Sequence, residues 1–121
     1  MPAWLWVAVG SAIGGVARYG VSTLAVRWWG GGFPWGTLAV NIAGSAAIGW
    51  LAATLAAPPS QARLFWMTGV CGGFTTFSAF SLETHQLMRA GEGGRALLYA
   101  GASMLLCGLA VLGGAALGRG R

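Results

Sequence analysis

Four long apolar runs, separated by clusters of glycine, proline and charge, take up nearly the whole chain. They extend from about Trp4 to Trp29, Trp35 to Ala57, Gln61 to Arg89 and Arg95 to Leu117. Each is near or above the roughly 20 residues that a helix needs to cross a bilayer. The pattern therefore predicts an all-α integral membrane protein, with four transmembrane helices in a single membrane domain over residues 1–121. Gly30-Gly31-Gly32-Phe33-Pro34 cannot continue a helix and makes the first turn. Pro58-Pro59 stops the second run, Ser60 is placed to cap the third, and Ala90-Gly91-Glu92-Gly93-Gly94 makes the last turn.

The third run breaks its own pattern at Gly72-Gly73-Phe74-Thr75-Thr76-Phe77-Ser78-Ala79-Phe80. A glycine pair followed by two threonines and a serine predicts a helix break at Gly72-Gly73. Irregular backbone at membrane depth survives only when buried in protein or lining a site. Phe74, Phe77 and Phe80 recur at i+3, so a helix resuming after the break would stack them along one side. Freed carbonyls between Gly72 and Thr75 would attract a cation such as Na⁺, whereas half-helix N-termini favour an anion.

Composition supports this picture: 56% of the 121 residues are hydrophobic and 7% charged, against about 25% charged in a soluble domain. Seven arginines and no lysine face Glu83 and Glu92, for a net charge of +5. The arginines stand singly, mostly at the ends of runs, which suits lipid headgroups and argues against nucleic-acid binding. Arg63, Arg119 and Arg121 fall on one side of a four-span topology and Arg27, Arg89 and Arg95 on the other. Because an excess of Lys and Arg sets orientation, this tie predicts insertion both ways and pairing of opposite copies as an antiparallel dimer. Gly44, Ala47, Gly49, Gly101, Ala102, Gly108 and Gly113 supply the small residues through which membrane helices associate. No basic region precedes the first run and no small-residue cleavage site follows it, so that run is expected to be retained. Cys71 and Cys107 lie in apolar runs, which fits reduced, packed thiols.

Polar residues inside apolar spans are expensive and need a partner or a pathway. Thr37 and Asn41 share one helical face, as do Tyr99, Ser103 and Cys107; Ser78, Ser81, Glu83 and Thr84 follow the break. Their amide and hydroxyl donors could replace the hydration shell of a small anion, or simply bond helices together. Aromatic rings have a positive edge, so Phe77 and Phe80 could hold an anion weakly enough to release it.

Three ordered stretches, Gly14-Gly15-Val16-Ala17-Arg18-Tyr19, Gly36-Thr37-Leu38-Ala39-Val40-Asn41-Ile42-Ala43-Gly44 and Gly72 to Phe80, closely resemble the Fluc/CrcB fluoride channels. The resemblance covers three of the four runs by motif and the whole chain by length and layout. It implies an antiparallel, dual-topology homodimer in a bacterial or archaeal cytoplasmic membrane, exporting fluoride passively through two pores, with a central structural Na⁺. By motif position, Na⁺ would be bound by the backbone carbonyls of Gly72 and Thr75. The pore would take Phe77, Phe80, Asn41, Arg18, Ser78, Glu83 and Thr37, with Tyr99 and Ser103 from the last run. Ala79 and Ala46 depart from the family pattern, where threonine and phenylalanine are common. A small multidrug-type, proton-coupled cation exporter is the alternative, but it wants a carboxylate deep in the first run, and both glutamates lie in or after the third. His85 is the only histidine and lies far from Cys71 along one run, so no enzyme is expected.

Overall fold

The computed structural model describes residues 1–55 and 60–120, and is helical throughout, with no strand among the described residues. The expected end of the second run at Ala57, its stop at Pro58-Pro59, and Arg121 lie outside the described residues. Four helical segments follow the apolar runs: α1 (Ala3–Trp29), α2 (Trp35–Thr54), a third segment in two parts, and α5 (Gly93–Arg119). The first part of the third segment, α3 (61–74), opens with an α turn over Gln61–Arg63. It is wound as a π-helix over Leu64–Cys71 and closes with a second α turn over Gly72–Phe74. The second part is α4 (Phe77–Arg89).

The chain ends these helices as its turn chemistry dictates. Gly30 terminates α1 at φ 76°, a left-handed conformation that side chains resist. Ser60 accepts the Arg63 N–H and so caps α3, while Arg63 donates its guanidinium to the Leu55 carbonyl at the end of α2. After α4, Gly91 at φ 78° gives its N–H to Met88 and Glu92 gives its own to Leu87, the paired bonds of a Schellman turn. That turn is complete by Glu92. Gly93 and Gly94, expected in the loop, therefore already belong to α5.

Packing is by close backbone approach. α1 lies along α3, and α2 along α5. A methyl group at Gly10 would come 2.5 Å from the Phe65 carbonyl oxygen, and one at Gly73 2.5 Å from that of Ser11. In the other pair, the Ala46 carbonyl occupies the space a side chain at Gly114 would need, and Val111 does the same to Gly49. Small residues let membrane helices meet where no hydrophobic drive exists between them. Gly44 and Gly49 are thus consumed within the chain, whereas Gly101, Gly108 and Gly113 face open space.

Large apolar side chains point outward, among them Leu97, Leu117 and Val16 at 76%, 73% and 72% exposure. The buried core is small: Leu38, Leu87, Ala96 and Tyr99, with Phe33, Ile42 and Phe80 packed against them. This inversion suits a lipid surround. Among the described residues, α2 and α5 are each long and apolar enough to cross a membrane by themselves. The expectation of four such spans is met only in part, because the third run is divided and α1 carries Arg18 among its glycines and tryptophans.

Candidate functional site

The third segment is interrupted at Thr75-Thr76, where the backbone is extended (φ −88°, ψ 158° and φ −152°, ψ 125°). This differs from the expected position. Gly72 is helical at φ −62°, ψ −38°, and Gly73 is held against Ser11. Close packing against α1 outweighs the roughly 1 kcal/mol by which glycine disfavours a helix interior.

What holds the interruption open is Asn41. Its Oδ1 accepts the Thr76 N–H at 2.9 Å and its Nδ2 donates to the Thr76 carbonyl at 3.1 Å. In an unbroken helix the Thr76 N–H would go to the Gly72 carbonyl. The Asn41 amide takes it instead and answers the Thr76 carbonyl as well, so neither group of Thr76 is left unpaired. Thr76 then caps α4, its Oγ1 accepting the Ala79 N–H at 3.1 Å, and lies 3.3 Å from the exposed Ser78 hydroxyl. On the other side of the break, Arg18 Nε donates to the Gly73 carbonyl at 3.3 Å.

A second polar cluster forms midway along α4. Glu83 accepts the Thr37 hydroxyl on one carboxylate oxygen at 2.9 Å and the Tyr99 hydroxyl on the other at 2.8 Å. Thr37 is buried and Tyr99 fully so, so this carboxylate ties together α2, α4 and α5. Phe80 bridges the two clusters: its ring is 5.1 Å from Tyr99 and 5.5 Å from Phe77. Phe74 sits before the interruption, so the three phenylalanines do not share one helix face; Phe77 and Phe80 alone pair.

Beside the break lies a cavity of about 320 Å³, lined by Asn41, Thr75, Thr76, Phe77, Phe80 and Ser103 among others. Ser103 Oγ is buried without a hydrogen-bond partner among the described residues. A buried hydroxyl left in that state costs stability unless a water or ligand meets it. Phe77, at 75% exposure, borders the cavity and turns its ring outward. Arg18 does not line this cavity. The structure therefore gathers Asn41, Ser103, Phe77 and Phe80 at one place and Thr37, Glu83 and Tyr99 at a neighbouring one, while Arg18 acts on the backbone behind them.

Two residues escaped the sequence reading. Thr76 organises the break, and its signal was available: a threonine directly before a resuming helix is a preferred N-cap. Phe33, 5.5 Å from the Tyr99 ring, sits in a turn that gave no sign of joining the core.

The fold is that of a helical membrane protein in which polar side chains from several helices converge on a broken one. The model of the CrcB-like protein family, Camphor Resistance (CrcB), matches residues 5–115, and the chain belongs to this family. It is 54% identical over 110 residues to a protein of Hyphomonas neptunium, covering 88% of this chain and 87% of that one. It is 52% identical over 118 residues to one of Paracoccus denitrificans, covering 97% and 94%, and 48% identical over 117 residues to one of Opitutus terrae, covering 92% and 88%. All three relatives are named fluoride-specific ion channel FluC.

Proposed function

We propose that the protein is a fluoride-specific ion channel of a bacterial or archaeal cytoplasmic membrane, crossing it several times and letting fluoride leave the cell down its gradient. The observation that carries this reading is the near full-length similarity to channels so named. The cavity beside the broken helix supplies the chemistry. Fluoride is small and strongly hydrated, so a path for it must offer hydrogen-bond donors in place of water. Asn41 spends one amide hydrogen on Thr76 and keeps the other; Ser103 keeps its hydroxyl whole. Phe77 and Phe80 offer ring edges, which attract an anion weakly enough to let it go. Beyond Phe80, the Thr37 and Tyr99 hydroxyls are bonded to Glu83, so an arriving anion must compete with a carboxylate for them.

The assembly proposed is an antiparallel homodimer with two pores. Exposed Phe77 and the open glycines Gly101 and Gly108, two turns apart on one face of α5, support it, as does the arginine tie. Na⁺ at the dimer centre fits the residues present. The Thr76 N–H that would answer the Gly72 carbonyl goes to Asn41, and Thr75 is extended. Carbonyls of Gly72 and Thr75 would hold the ion, which supplies charge to fix the two breaks together.

The test is fluoride and chloride efflux from liposomes holding the purified protein, measured side by side by electrode. Fluoride efflux without chloride efflux is expected, with loss of fluoride efflux in Phe80→Ile. Equal passage of both ions would overturn the reading. A reporter on the C-terminus should appear on both membrane faces; its confinement to one would remove the antiparallel dimer.

A further inference from the structure

The same cavity carries a second chemistry that the fluoride reading does not use. Cys71 on α3 and Cys107 on α5 line it, with the largely exposed Met104 at its rim, and both cysteines are free. Met104 and Cys107 lie one turn apart on α5 and Ser103 precedes them on the same stripe, so the three share a face across from Cys71. Two thiols and a thioether are a soft donor set, which selects d¹⁰ cations such as Cu(I) over the hard cations that carbonyls bind. The unpartnered Ser103 hydroxyl, 6% exposed, opens on the same space. Water or an ion entering the cavity would meet it.

We propose that Cys71, Cys107 and Met104 form a binding site for a monovalent soft cation of the Cu(I) and Ag(I) class, and that the bound ion closes the cavity. Binding replaces protons: each S–H bond breaks as an S–metal bond forms, the two protons leave to water, and no electron is transferred. The closure, though not the binding, rests on the cavity being the fluoride path.

Silver is the probe, added as its fluoride or nitrate to the purified protein in chloride-free liposomes. One equivalent should protect both cysteines together from maleimide, read by intact mass, and should abolish fluoride efflux until excess thiol removes the metal. Cys71→Ser and Cys107→Ser should each weaken silver binding at least about 100-fold, beyond the usual cost of losing an outer-shell partner, while Met104→Leu weakens it less. Each variant is compared with its own efflux before silver, so impaired folding shows separately. Independent protection of the two thiols by two equivalents, or wild-type affinity in either cysteine variant, overturns the site. One-to-one binding with efflux unchanged overturns closure while the channel reading stands. Absence of efflux before silver defeats the channel reading, and thiol protection still decides the site.

Discussion

The α2–α5 contact and the seam between α2, α4 and α5 join the same helices by opposite means. In the first, Gly49 and Gly114 remove side chains so that backbone meets backbone. In the second, Asn41, Thr37, Tyr99 and Glu83 reach across with hydrogen bonds. The first arrangement has no adjustable part and nothing to offer an ion. The second consists of donors that can change partners, and the cavity lies beside it. Rigid contact sets the distance between helices, and the polar seam works within it.

Four substitutions separate the two regions. Gly114→Val should have the largest effect, because the Ala46 carbonyl already fills the needed space. Overpacking of this kind costs about 1–3 kcal/mol or more, read as a lowered unfolding temperature in detergent with loss of efflux as a consequence. Asn41→Asp keeps the acceptor for the Thr76 N–H but sets an oxygen against the Thr76 carbonyl. A cost of roughly 2 kcal/mol is expected, with fluoride efflux lost while the protein remains folded by circular dichroism. Tyr99→Phe removes one bond to the Glu83 carboxylate, worth about 1.5 kcal/mol, and should slow efflux several-fold with a smaller drop in unfolding temperature. Gly108→Ala, facing open space, should leave the unfolding temperature unchanged or raise it slightly, by less than about 1 kcal/mol. If Gly114→Val unfolded no more readily than Gly108→Ala, the distinction between the two regions would be lost.

The helical architecture was legible because apolar length and turn residues are local signals: Gly30, Ser60 and Gly91 act where they stand. The proximity of Thr37 to Asn41 and of Tyr99 to Ser103 also followed from helical spacing. The site of the break did not. The glycine pair at 72 and 73 reads as a helix breaker, but Gly73 is held in the helix against Ser11 of another helix, and the interruption is decided by Asn41. The pairing of Thr37 and Tyr99 through Glu83 was equally invisible, since it joins three helices. Intended donors to an ion turn out to be engaged already, a state that only tertiary contact reveals.

The clasp between Asn41 and Thr76 spans 35 positions of sequence. The kink's address is therefore written in two places, on a regular helix upstream that takes the Thr76 backbone and in the Thr76 side chain that starts the next helix. A change at either end of that clasp is felt at the other, although no helix holds both.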